Sequence, residues 1–320
     1  MDLLCLLKLV LTNMISIVIP IYNEEENLNL LRDRIFKASE SWGDSFELIL
    51  VDDGSFDNSL TIMTDFTKDD EKIKVVKLSR NFGHQAAISA GMKISTGDVV
   101  VIMDGDLQDP PEELPRFLKK WKEGYQVIYA IRKNRKEFFL KKIAYKIFYR
   151  LLSIISDIDI PLDSGDFCVM DRKVVDVLNV QMIEQNRFVR GLRAYAGFRQ
   201  IGVEYDRAER AAGEVKYTFK KLVKLALDGI FDFSTFPLRI ATYFGFFVSL
   251  LSFFAGVFFI IHRIIGFKIL GYSPADVPGV ASIAVAVFFL SGVILVVLGI
   301  IGEYIGRIYF EVKKRPFYII

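Results

Sequence analysis

Cysteine and histidine are nearly missing from this chain, with two of each in 320 residues. Cys5 and Cys168 cannot build a disulfide framework or a thiolate metal site, and they suit a reducing compartment such as the cytosol. His84 and His262 are too few and too far apart for a histidine metal site, and His84 reads as a loop residue. The glycine patterns that cradle phosphates are also missing. There is no G-x-G-x-x-G and no G-x-x-x-x-G-K-[ST], so a Rossmann dehydrogenase and a P-loop ATPase lose their main sequence support. The first 13 residues carry Asp2 and neither a basic leading region nor a small-residue cleavage site, which argues against a signal peptide. Because Met14 opens directly into a strand pattern, residues 1–13 read as an upstream extension before a start at Met14, with Met1 as the alternative.

Charge is missing from two long stretches, residues 240–261 and 277–302. At 1.5 Å per residue, a helix over either one crosses a hydrocarbon core about 30 Å thick. Two transmembrane helices are therefore expected, at about 240–261 and 279–302. Buried helices of a soluble core are the alternative, but such helices seldom lack a polar face. Apolar residues make up 52% of the chain, which excludes disordered and fibrous classes.

The net charge of +2 hides an uneven distribution. Residues 132–150 hold eight Lys/Arg and one Glu, a net of +7, so the remainder nets −5. Such a block suits anionic lipid headgroups. No nucleic-acid motif accompanies it, so nucleic acid is not expected as a partner. Apolar residues within 136–156 alternate with Lys141, Lys142, Lys146 and Arg150, and residues 217–236 look similar. Both read as amphipathic helices on a membrane surface, with packed surface helices as the alternative. The flanks of the first span are richer in Lys and Arg than the loop between the spans. This places the N-terminal domain and the basic tail, 304–320, in the cytosol.

The first half of the chain alternates strands and helices. Strands are expected at 15–21, 47–51, 73–78, 98–103 and 126–130, and helices at 24–40, about 60–66, 83–94 and 112–122. That spacing predicts an α/β domain with a largely parallel sheet. Polar residues cluster just past the strand ends, where open α/β sheets bind ligands. Asp104 and Asp106 follow a strand of Val, Ile and Met. Two such carboxylates can share Mg²⁺ or Mn²⁺, cations that also bind substrate phosphates. An acidic turn is the bland alternative.

Taken in order, VIPIYNEEENL, VDDGSFDNS, LSRNFGHQAAISAG and DGDLQDPPE resemble the inverting family 2 glycosyltransferases. Further on, SGDFCVMDRKV, ERAAGEVKY and GEYIGRIYFEVKKRPFY resemble the polyprenyl-phosphate glycosyltransferases, the group of bactoprenol glucosyltransferase and dolichol-phosphate mannose synthase. The resemblance runs from residue 15 to 320. One departure is Val215, where the family usually has Ser.

The resemblance implies a GT-A-like (Rossmann-like) domain over residues 14–230, ahead of the spans in 237–303. Pro20, Tyr22 and Glu24 would line a nucleotide pocket, and Asp52 and Asp53 would meet the base. Asp104, Asp106 and Gln108 would hold Mg²⁺ or Mn²⁺ and the diphosphate. Arg80 and Asn81 would shape the loop. Asp166 matches the proposed catalytic carboxylate; a helix N-cap is its alternative. Arg132, Arg207, Arg210 and Lys216 are candidates for the lipid phosphate. The implied reaction moves a hexose, glucose first, from a nucleotide diphosphate sugar to polyprenyl (undecaprenyl) phosphate at a cell membrane, serving cell-envelope glycosylation. A phosphate monoester is mostly dianionic at neutral pH and already nucleophilic, so Asp166 is either a base or an orienting group. Two other classes stay open, a processive polysaccharide synthase and a non-enzymatic lipid-binding membrane module. The chain has no QxxRW motif, which weighs against the first. A homo-oligomer is compatible with the sequence but not required by it.

Overall fold

The computed structural model describes residues 13–132, 164–185, 187–206, 234–265 and 279–320. They form two compact units. The first holds the described residues up to 206 together with Lys314–Ile320; the second holds Ser234 to Lys313.

The first unit opens with β1 (Met14–Ile21), α1 (Leu28–Ser39), β2 (Ser45–Asp52), α2 (Ser59–Asp69), β3 (Ile73–Lys77), α3 (His84–Ile94) and β4 (Val99–Ile102). A 3-10 turn at Pro111–Glu113 leads into α4 (Leu114–Lys122) and β5 (Val127–Arg132). These are the strands and helices expected from the sequence, with ends shifted by a few residues. β6 (Ser164–Asp171), α5 (Arg172–Val180), α6 (Val189–Tyr195) and β7 (Gln200–Tyr205) complete the unit and lie outside that expectation.

The seven strands run in the order β3-β2-β1-β4-β6-β5-β7. Four of the six pairings are parallel; β6 runs antiparallel to both of its neighbours. β1 is buried from Ile15 to Ile21, because helices cover both faces of a mostly parallel sheet. This is why its sequence is a continuous apolar run rather than an alternating one.

The sheet order reverses at β1, whose neighbours are β2 on one side and β4 on the other. Pairing between β1 and β4 stops at Val18 and Ile102, followed by a hydrogen bond of 3.2 Å from Met103 N–H to the Val18 carbonyl. Beyond that point β4 has ended, while β1 continues to Ile21 paired only with β2. Pro20 sits on β1 where β4 no longer pairs, so its missing N–H leaves no gap in that ladder. Open α/β sheets bind ligands in such a crevice, at the carboxyl ends of the strands.

α1 begins four residues later than its apolar pattern suggests. Before it, the loop after β1 is tied to the loop after β2. Ser55 Oγ accepts from Asn23 N–H at 3.1 Å, Asp57 from Glu25 N–H at 3.1 Å, and Glu25 from Asn58 N–H at 2.9 Å. Asn23 takes a left-handed φ of 53° to make this turn.

The second unit consists of α7 (Phe236–Ile265) and α8 (Gly279–Lys313), of 30 and 35 residues. Ser234 Oγ accepts from Phe236 N–H at 3.0 Å, and Pro237 occupies the first turn of α7, where a missing N–H costs nothing. Both helices are long and apolar enough to span a membrane. Their large side chains face outward, as Phe288 at 77% exposure and Leu295 at 69% illustrate, so they are not the core of a soluble domain. α8 continues to Lys313, well past the expected span end at 302. An i,i+4 ion pair of 2.9 Å between Arg307 and Glu303 supports the extra turns. The tail expected from residue 304 is therefore helix for its first ten residues.

Candidate active site

The site is built at the ends of β4 and β6. Ile102 pairs with Cys168 in antiparallel register. Asp104 comes two residues past the end of β4, and Asp166 two residues back along β6. Antiparallel register thus draws together two carboxylates 62 positions apart in the chain. Asp166 stands inside β6 and caps no helix; Asp171 is the N-cap of α5, accepting from Lys173 N–H at 3.0 Å.

His84 and Arg190 join these carboxylates. His84 is the first residue of α3 rather than a loop residue. Its Nε2 lies 3.5 Å from Asp104 Oδ1 and 3.4 Å from Asp166 Oδ2. Arg190, on α6, grips Asp166 with a bidentate fork, Nε to Oδ1 at 2.7 Å and Nη2 to Oδ2 at 2.6 Å. Burial alone would raise the Asp166 carboxyl, but Arg190 and His84 outweigh it and hold it well below the usual carboxylate range. Burial would lower His84, but Asp166 and Asp104 outweigh it and carry the imidazole to about 9. Asp104 rises to about 7, first from burial, against the pull of His84 and with Asp109, Asp166 and Asp106 adding negative charge.

The loop Asp104–Asp109 is held in a tight shape. A Cβ on Gly105 would lie 2.6 Å from Ile21 Cδ1, so a larger residue there would have to displace the tip of that side chain. Leu107 is buried with φ at 62°, a strained conformation for a branched residue. Asp106 is 8% exposed and accepts from Gln108 N–H at 3.2 Å. Tyr205 OH donates to buried Asp109 at 2.6 Å.

A divalent cation fits this donor set. Asp104 Oδ1 is buried with no hydrogen-bond partner among the described residues, in a cluster that concentrates negative charge. No group of three or more His, Cys, Asp or Glu side chains arranged to hold a metal occurs among the described residues. Asp104 and Asp106, close enough for their charges to couple, suit a hard cation that completes its shell with substrate phosphates and water, as Mg²⁺ does.

The other side of the crevice lies at the ends of β1 and β2. Asp52 Oδ1 accepts from Ser55 N–H at 3.1 Å, while buried Oδ2 has no hydrogen-bond partner among the described residues. Asp53 is committed differently. Its oxygens accept from Phe82 N–H at 2.7 Å and from Gly83 N–H at 3.0 Å, which clamps the loop before α3. Gly54, at φ +69°, lets this loop pass, since a Cβ there would lie 2.6 Å from Asn81 N. Arg80 stacks on Phe82 with its guanidinium carbon 4.1 Å from the ring centre and donates to the Asn81 carbonyl at 3.2 Å. Tyr22 meets Phe56 edge-on at 6.3 Å, and Glu24 accepts from Asn27 at 2.7 Å.

Arg132 ends β5 opposite Tyr205. Arg207, Arg210, Lys216, residues 136–156 and 1–12, and nearly all of the basic block and of 217–236 lie outside the described residues. His84 and Arg190 were missed as site residues by the sequence reading. The usable signal for Arg190 was the three-residue spacing of Arg187, Arg190 and Arg193. Arg187 donates to the Leu178 carbonyl, buried Arg193 to the Gly165 carbonyl, and only Arg190 reaches Asp166.

Residues 16–178 match the family model described as glycosyl transferase family 2. The chain is 46% identical over 306 residues to the "Uncharacterized glycosyltransferase YkcC" of Bacillus subtilis (strain 168), covering 95% of this chain and 92% of that one. It is 40% identical over 309 residues to the "Bactoprenol glucosyl transferase" of Shigella phage SfX, covering 96% and 98%. Among solved structures, the glucosyl-3-phosphoglycerate synthase of Mycobacterium tuberculosis, in complex with Mn²⁺, UDP and glucosyl-3-phosphoglycerate, matches with a TM-score of 0.45 and 20% identity, covering 68% of this chain and 78% of that one.

Proposed function

Because the chain belongs to glycosyl transferase family 2, we propose that it transfers a hexose, glucose first, from a nucleotide diphosphate sugar to polyprenyl phosphate, with inversion at the anomeric carbon. The observation that carries this reading is the cluster of Asp104, Asp166, His84 and Arg190 at the facing ends of β4 and β6, one strand away from the reversal of strand order at β1. Relatives named bactoprenol glucosyl transferase, matched over nearly their whole length, support the lipid acceptor.

In this reading, Asp52 offers its unpartnered oxygen to the base, and Asp53 keeps the pocket wall in place. Pro20, Tyr22 and Glu24 line the same pocket. Asp104, Asp106 and Gln108 hold Mg²⁺ or Mn²⁺, which when bound neutralises charge on the departing diphosphate. The lipid phosphate oxygen attacks the anomeric carbon as the bond to the diphosphate oxygen breaks, and the nucleoside diphosphate leaves with that electron pair. Asp166 accepts hydrogen bonds from the sugar and orients it. Arg132, Arg207, Arg210 and Lys216 supply cations for the acceptor phosphate. α7 and α8 span the cell membrane, residues 136–156 and 217–236 lie at its surface, and both termini face the cytosol.

The test is direct. Membranes containing the protein are incubated with labelled UDP- and GDP-sugars, and the sugar in the organic-extractable product is identified. Label from UDP-glucose in a polyprenyl-linked product is expected. No labelled lipid from any donor would overturn the reading.

A further inference from the structure

We propose that Arg190 is a positioning residue for this transfer, fixing the plane and depth of the Asp166 carboxylate at the donor site while His84 joins that carboxylate to Asp104. The proposal rests on the hexosyl-transfer reading above.

The first support is geometric. The guanidinium meets both Asp166 oxygens, at 2.7 and 2.6 Å, and a planar fork on two oxygens leaves the carboxylate no freedom to rotate. An ionised carboxylate offers about four lone-pair directions. Arg190 takes two, and His84 lies 3.4 Å from Oδ2. What remains is an accepting direction on Oδ1, suited to a sugar hydroxyl and held in one place.

The second support is that α6 does not need Arg190 to stay attached. Val189 and Leu192 are buried, Val189 N–H donates to Gln85 Oε1 at 3.0 Å, and Arg193 donates to the Gly165 carbonyl of β6 at 3.2 Å. Removing Arg190 alone leaves Asp166 as a buried charge without its main partner, so melting temperature has to be read beside the rate. Structural duty on this helix falls to Arg193, leaving the Asp166 fork to geometry at the site.

The test uses the full-length protein in membranes or detergent, with UDP-glucose and a short-chain polyprenyl phosphate. Arg190→Ala, Arg190→Lys, Asp166→Asn and the double variant Arg190→Ala/Asp166→Asn are compared for kcat, donor KM, UDP affinity and melting temperature. Misplacing a reacting group by about 1 Å costs on the order of 100-fold in rate. Asp166 orients the sugar rather than reacting, so Arg190→Ala is expected to lower kcat about 30-fold, no more than Asp166→Asn does, while donor KM and UDP affinity stay within about 3-fold. Arg190→Lys recovers only part of the rate, since a point charge cannot hold two oxygens. Because Arg190 acts through Asp166, the double variant is no slower than Asp166→Asn alone.

Three outcomes overturn the proposal: Arg190→Ala within about 3-fold of wild type in kcat, losses that multiply in the double variant, or a rate loss that follows melting temperature across the variants. Should Arg190→Ala fail to fold, Arg190→Lys decides the matter on its own. A kcat at least about 10-fold down at unchanged UDP affinity supports positioning, and wild-type kcat refutes it. A wild-type protein that glycosylates no lipid overturns the hexosyl-transfer reading instead, and is distinguishable from these results.

Discussion

Asp104, Asp106 and Asp166 are alike as residues, and their surroundings give them different work. Asp104 has a buried, unbonded oxygen in a negative cluster, whereas Asp166 has both oxygens bound by Arg190. Asp106→Ala should abolish metal-dependent transfer while the protein stays inserted in the membrane, because each span carries its own insertion free energy. EDTA should silence the wild type in the same assay; full turnover in EDTA would sink the metal assignment. Asp166, held well below the usual range, stays ionised from pH 5 to 8, and His84 at about 9 stays protonated there. A carboxylate that holds protons so weakly is a poor general base. Activity should therefore fall as pH drops through roughly 6, where the acceptor phosphate gains its proton. General-base assistance is worth typically 10²–10⁴-fold, so Asp166→Asn should lose less than that range. Initial rates against pH for both proteins measure this, and an Asn variant that binds donor normally but is dead at every pH would defeat the orienting role.

At the scale of elements, the two ends of the sheet are held by different means. The carboxyl ends carry the site, and a buried carboxylate ties the opposite ends together. Glu47 of β2 accepts from Ser16 Oγ of β1 at 2.5 Å, from Thr96 N–H ahead of β4 at 2.7 Å, and from Lys74 of β3 at 2.5 Å. Burial pushes Glu47 up, but these bonds outweigh it and hold its carboxyl at about 2. A folded pKa below the unfolded one means stability that is present above pH 4.5 and lost as pH falls toward 2. Glu47→Ala should cost about 3–4 kcal/mol at pH 7, at ~1.4 kcal/mol per pKa unit, and should flatten the loss of stability between pH 4.5 and 3. Urea titrations of the detergent-solubilised protein at both ends of that window check it; a variant with the same acid dependence as wild type would show that Glu47 is not the group responsible.

Over the whole molecule, the last seven residues belong with the catalytic unit. The Ile319 carbonyl accepts from Ser79 N–H at 2.9 Å, at the start of the loop whose later amides hold Asp53. Phe317 and Tyr318 are half-buried, and burial pushes the Tyr318 phenol up beside Arg187. Removing residues 316–320 should destabilise this unit by about 1–3 kcal/mol, from one hydrogen bond and two partly buried rings. It should also weaken UDP binding through the loose loop, with membrane insertion unchanged. A melt and a UDP titration on the truncated protein test this; identical curves would mean the tail is an ornament to the unit.

The α/β class, five of the seven strands, the two long apolar helices and the Asp104-Gly105-Asp106 turn were all legible in the sequence, because each is written in local periodicity or in one short motif. The late start of α1 was not legible, since loops from two different strands tie down the residues before it. Nor was the antiparallel entry of β6, because strand direction and register depend on which neighbour the chain meets. That register brings Asp166 to Asp104, and the docking of α3 and α6 then sets His84 between them and gives Arg190 its partner. The residue types that can do the chemistry belong to the sequence by itself. Their pairing, and with it the charge each one carries, was decided only in the tertiary structure, because electrostatic coupling depends on distance through space rather than along the chain.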